Sequence, residues 1–250
     1  MSPHYSILGL PVPRLPVLTA ALLGALAAFT PAPAVAQEPA YATHIDRLYQ
    51  GVAPRIAKWT KPMRYQVVGL TPSALESWRR LAREVGGRIG LSIVEDTSPD
   101  AGTANALFLF LDRIEEVASM PQIGAMFTRP EESEDAYLAR MGEEFRAGWM
   151  TTAAYSEQST EFVVQIINKA VYPRPGAPLF LRMLFVASVD VRASDAIKPS
   201  VMNVGPPRLT ALAAVDVGFL AAVYNRQIPF GMALAEAKPI LLSLMASGPR

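Results

Sequence analysis

The chain has 250 residues, no cysteine, 23 Lys and Arg against 22 Asp and Glu, and a mean hydropathy of +0.22. The absence of cysteine excludes disulfides, thiolate metal sites, cysteine nucleophiles and a lipid-bearing cysteine behind a leader. Near-neutral charge gives no general field for phosphates or anionic lipid, so no nucleic-acid partner is expected, and a charge-driven partner has to find a local patch.

In chain order, Arg14 precedes an acid-free apolar run from Leu15 to Ala28, followed by the small residues Ala34-Val35-Ala36. This is the three-part pattern of a secretory signal peptide, and the run is shorter than the roughly 20 residues a spanning helix needs. Cleavage near Ala36 is expected, giving a periplasmic or secreted chain of about 210 residues, enough for one domain, without a stable membrane anchor. The predicted organisation is a signal peptide over 1–36, a loosely packed polar arm over 37–58 and a single globular domain over 59–250.

Within the domain, Met63 to Leu70 reads as a strand. Thr71-Pro72 then caps a helix carrying Leu75, Trp78, Leu81, Ala82 and Val85, which Gly86-Gly87 closes. Ile89, Leu91 and Ile93 alternate as a second strand. Ala104 to Leu111 is almost wholly apolar, as in a strand covered on both faces. A short helix is predicted over Asp112 to Ser119. A second follows Pro130 with Glu131 to Asp135 at its start, where negative charge is favoured, and reaches about Trp149. Met150 to Tyr155 and Glu161 to Asn168 form a strand pair, and helices are expected over Leu179 to Val189, Leu209 to Tyr224 and Met232 to Met245. The fold class is therefore α+β, a mixed N-terminal sheet with packed helices followed by a mainly helical half.

Few constellations carry chemistry. His44 is the one histidine beyond the leader. It is expected in solvent, so a histidine zinc site or a Ser-His-Asp triad lacks its parts. Asp96 to Gly102 has oxygens at alternate positions but lacks the Gly and Glu of a calcium loop, and reads as a turn. Gly86-Gly87-Arg88-Ile89-Gly90 lies between helix and strand, the reverse of a phosphate cradle. The acids Glu115-Glu116, Glu131 to Asp135 and Glu143-Glu144 read as solvated faces. Asp216 is unusual: Leu212, Leu220 and Tyr224 put it on an apolar stripe. A buried acid needs partners, so it is either fixed by hydrogen bonds or ions, or it lines a pocket.

The tail carries Pro199-Ser200-Val201-Met202-Asn203, Leu209-Thr210, Asp216, Leu220, Tyr224-Asn225, Gly231-Met232, Glu236-Ala237 and Pro239. It resembles a family of Gram-negative envelope proteins known as domain of unknown function 2927. Weaker echoes lie at Trp59, Pro62, Arg64 and Asn105. The resemblance implies a zincin-like fold, because family members carry a helix with ligand and acid residues similar to that of zincin metallopeptidases. Here that helix falls on Leu181 to Val191, with Met183 and Leu184 in place of the acids and Ala187 in place of Gln. A zincin helix needs a base and ligands one turn apart around a metal-bound water, and apolar residues offer neither.

The expected function is that of a non-catalytic periplasmic binding protein on a zincin-like scaffold, with no cofactor, no metal and an envelope protein or peptide as partner. Ser200, Asn203, Asp216 and Tyr224 are the structural or binding candidates. The alternative is a peptidase or cell-wall hydrolase using carboxylates around Asp216, with Ser200 and Asn203 beside it.

Overall fold

The structure is a computed structural model, and it describes residues 34–52, 54–98, 103–129 and 131–247. Most of the leader lies outside them. The described chain is mixed α/β: a five-stranded, mostly parallel sheet and seven α-helices. The strands are β1 (Met63–Val68), β2 (Ile93–Glu95), β3 (Ala106–Leu111), β4 (Trp149–Tyr155) and β5 (Thr160–Asn168), in the order β2-β1-β3-β5-β4. Only β4 runs antiparallel, paired with β5 from Trp149 opposite Ile167 to Tyr155 opposite Thr160.

Alternation along the central strands sorts their side chains into two cores. Ala106, Phe108 and Phe110 of β3 join the larger one. On it lie α1 (Ala34–Leu48), α2 (Pro72–Ile89), α5 (Ala177–Val189), α6 (Ala214–Val223) and α7 (Leu234–Ala246). Leu109 and Leu111 face the smaller core, covered by a 3₁₀ turn (Ile114–Ser119), α3 (Pro121–Met126) and α4 (Glu134–Arg146). This is why β3 is apolar without a break. Trp78 centres the larger core, with ring centroids 4.4 Å from Phe108 and 5.3 Å from Phe180.

Local signals set several boundaries. The Thr71 hydroxyl accepts from the Ala74 N–H at 3.4 Å, and Pro72 opens α2. Ser133 caps α4 in the same way, with Glu134 and Asp135 in its first turn. Other expectations need correction. Helix α2 does not close at Gly86-Gly87 but continues to Ile89, where Gly90 at φ 70° supplies the left-handed stop. The second strand consequently starts at Ile93 rather than Ile89. The helix expected from Leu209 begins only at Ala214, because Asp216 reaches back to the Ala213 N–H at 2.9 Å and caps it there.

The largest correction concerns residues 37–58. They are not a loose arm. Helix α1 packs on α7, with Asp46 bonded to Lys238 at 2.6 Å, and Ile45, Leu48, Tyr49 and Ile56 lie in the larger core. Residues 54–56 are pinned by backbone bonds to 231–234, among them Ile56 N–H to Met232 O at 2.9 Å. The segment looked polar because only one face of a short helix carries the apolar residues.

Candidate functional site

Helix α5 is buried from Leu179 to Val189, as expected of an apolar helix inside a layered domain. One stripe is different. Arg182, Val186 and Asp190, each one turn apart, border a cleft of about 940 Å³ whose opposite wall is β4 from Trp149 to Ala153, together with Tyr155. Residues 126–129, the C-terminal end of α4, Gly51-Val52 and Val191 to Ala193 complete the rim.

Strand β4 is a sheet edge. The Asn168 N–H donates to Gly148 O at 3.0 Å, and Trp149 faces Ile167. Antiparallel alternation therefore turns the backbone groups of Met150, Thr152 and Ala154 toward β5, and those of Trp149, Thr151 and Ala153 toward the cleft. Among the described residues these three make no backbone bond to another segment.

Asp190 ends α5 in the left-handed region, at φ 45°, a conformation Asp tolerates better than most residues. Its carboxylate accepts from the Tyr155 hydroxyl, which ties the helix end to the end of β4. Burial, and then the Asp190 charge, push the Tyr155 phenol well above its usual pKa. The Arg55 guanidinium lies 5.7 Å from the centre of the Tyr155 ring.

Arg182 is buried, and its guanidinium donates to the carbonyls of Val201 at 2.8 Å, Gly205 at 2.8 Å and Asn203. Burial lowers its pKa from the usual arginine value. The Arg192 side chain is exposed on the same rim and forms no ion pair among the described residues. Arg140 is held by Glu132 at 2.8 Å and Glu144 at 3.3 Å, and Arg129 reaches Glu144 at 3.2 Å. The Arg140 bond draws Glu132 down to about 2.

Three of the four candidate residues meet elsewhere. The Ser200 hydroxyl donates to Asp216 Oδ1 at 2.6 Å and accepts from the Met202 N–H at 3.0 Å. Asp216 Oδ2 accepts from the N–H groups of Val201 at 3.0 Å and Ala213 at 2.9 Å. Asn203 Oδ1 accepts from Ser200 N–H at 2.9 Å, and its amide donates to Ser194 O at 3.0 Å and Ile197 O at 2.8 Å. Burial raises the Asp216 pKa while these hydrogen bonds oppose the rise. Of the two possibilities open for Asp216, the geometry is that of an anchor: it ties the turn after the cis Lys198-Pro199 bond to the start of α6. Tyr224 is not part of this group. Its hydroxyl donates to Ser188 O at 2.9 Å and accepts from Trp59 N–H at 3.3 Å.

His44 is a second correction, being fully buried rather than in solvent. Its Nδ1 lies 3.0 Å from the Ser194 hydroxyl, so it fastens α1 to the segment that Asn203 bonds just ahead of that turn, and burial lowers its pKa to about 4. Lys58 is also buried and caps the end of α6 through Val223 O at 3.1 Å and Ile228 O. Asp96 behaves as a turn residue, accepting from Ser98 N–H at 3.0 Å and from the Thr103 hydroxyl, while residues 99–102 of that stretch lie outside the described residues. The echo residues Pro62, Arg64 and Asn105 do meet, since Asn105 accepts from Arg64 N–H at 2.6 Å and donates to Pro62 O at 3.0 Å.

A metal ion, which the zincin resemblance implies, does not fit these residues. The cleft-facing stripe of α5 offers a guanidinium, a valine and a carboxylate already engaged by Tyr155. Met183 and Leu184, at the positions of the family's acids, are buried in the core. Among the described residues no three His, Asp or Glu side chains gather closely enough to hold a metal. Sequence reading missed Arg182, Arg192, Asp190 and Tyr155. A lone arginine inside the most apolar helix was the available signal for the first, because an arginine there must find acceptors or a cleft. No family model, curated protein or solved structure matches the chain.

Proposed function

We propose that this is a non-catalytic periplasmic binding protein on a zincin-like scaffold, and that the cleft between β4 and α5 takes an extended segment of an envelope polypeptide. The observation that carries the reading is the free edge of β4: Trp149, Thr151 and Ala153 turn toward the cleft backbone groups that make no bond to another segment among the described residues, and the cleft is lined by β4 from Trp149 to Ala153 and by Tyr155. An extended peptide adds to such an edge as a further strand, with main-chain bonds for affinity and side-chain pockets for selectivity. The stripe of α5 supports a binding role rather than a hydrolytic one, because its single carboxylate, Asp190, is already engaged by the Tyr155 hydroxyl. The carboxylate hydrolase loses its motivation, since both Asp216 oxygens are engaged away from the cleft. Among the described residues no helix is long and apolar enough to cross a membrane.

The test is to pan a randomised seven-residue peptide display library against the protein and measure amide exchange with the enriched peptides. Slowed exchange at Trp149, Thr151 and Ala153 is expected. Thr151→Pro removes one outward N–H, an edge position where proline is tolerated, and should abolish binding with the fold retained by circular dichroism. Enriched peptides that leave these amides unchanged and bind Thr151→Pro equally well would sink the reading.

A further inference from the structure

The chain as a whole is nearly neutral, but the cleft is not. Four arginines border it, Arg129, Arg140, Arg182 and Arg192, against the carboxylates of Glu144 and Asp190. Arg129 and Arg140 are neutralised by Glu132 and Glu144, and Asp190 is occupied by the Tyr155 hydroxyl. Arg182 and Arg192 remain without a carboxylate partner among the described residues.

Arg182 is the unusual one. A buried guanidinium normally faces an acid, because removing the charge from water costs several kcal/mol. Here three backbone carbonyls of residues 201–205 hold it instead. Those dipoles orient the fork but carry no net charge. Of the five N–H donors of a guanidinium, three are used and two are left. The result is a guanidinium fixed in orientation at the cleft wall, with a second, exposed cation on the rim at Arg192.

We infer that the cleft selects an acidic peptide: an extended segment lying along β4 places an Asp or Glu side chain on Arg182 and Arg192. This rests on the reading of the cleft as a peptide groove. An arginine fork matches a carboxylate through two parallel bonds, and a charge-assisted bond in a partly desolvated cleft is stronger than a neutral one.

The experiment uses the same randomised seven-residue library panned against the wild-type protein and against Arg192→Glu, which alters an exposed side chain and should leave the fold intact. Enrichment of Asp or Glu at one fixed position is expected with wild type and should disappear with Arg192→Glu. A synthetic copy of an enriched peptide, capped at both ends, should bind about tenfold more tightly than its Glu→Gln or Asp→Asn version, and rising ionic strength should erase the difference. A folded Arg182→Lys variant, which keeps the charge and loses the fork, should retain only part of the preference. Equal binding of acid and amide peptides, each slowing exchange at Thr151, would overturn this inference while leaving the groove reading intact. Failure of any peptide to enrich would overturn both. A preference that follows a free C-terminal carboxylate regardless of side chain would overturn the acidic-segment assignment.

Discussion

Asp216 and His44 are both fully buried and both hydrogen-bonded to the 194–203 turn, but burial moves their pKa values in opposite directions. For His44 the neutral ring is the folded form. The folded chain takes up the proton at about 4, against a usual 6.5, so the unfolded chain binds protons first as pH falls. The stability His44 contributes is therefore complete above about pH 6.5 and is lost toward pH 4, a difference on the order of 3 kcal/mol. His44→Gln keeps a hydrogen-bonding partner for Ser194 and removes the titration. Urea unfolding at a series of pH values should show a shallower acid loss for the variant than for wild type. Asp216→Asn places an amide donor where two N–H groups and a hydroxyl already donate, and should cost about 1–3 kcal/mol in urea unfolding. Peptide binding at the cleft should survive in the fraction that remains folded. A loss of binding at full stability would instead make Asp216 part of the binding site.

At the scale of elements, neighbouring glycines in α2 have opposite roles. A Cβ on Gly86 would lie 2.5 Å from the Leu91 backbone oxygen, whereas one on Gly87 meets nothing within 4 Å. Gly86→Ala should therefore destabilise by about 1–3 kcal/mol through forced displacement of the following turn. Gly87→Ala should stabilise by about 0.5–1 kcal/mol, because an exposed helical glycine loses more chain entropy on folding than alanine. Thermal unfolding of the two variants should shift the midpoint in opposite directions. The pair of glycines reads as a helix stop in the sequence because nothing local shows that Gly86 is needed for the approach of another segment. The strand pair β4 and β5, the cap of α2 and the doubly covered β3 were legible, since each is written in spacing, capping residues or uninterrupted apolarity. The late start of α6 was not, because Leu209 to Ala213 carries apolar residues whose conformation is set by contacts rather than by propensity.

For the whole molecule, the folded domain starts ahead of Trp59. Leu48 lies ahead of that point and is fully buried in the larger core. Leu48→Ala should cost about 2–5 kcal/mol in urea unfolding, the range of a large core truncation, where a residue in a loose arm would cost almost nothing. The amino-acid sequence by itself determined the number and type of most elements, the division between a sheet-forming first part and a helical last part, and the absence of thiol chemistry. These follow from periodicity, capping and composition, which act over a few residues. Only the tertiary structure decided that His44 joins Ser194, that Lys58 caps α6 and that Arg182 is held by the turn over residues 201–205. It alone set the free edge of β4 opposite α5. Those outcomes depend on which distant segments are brought together, and burial, charge compensation and the pairing of polar groups are properties of the packed chain rather than of any local stretch.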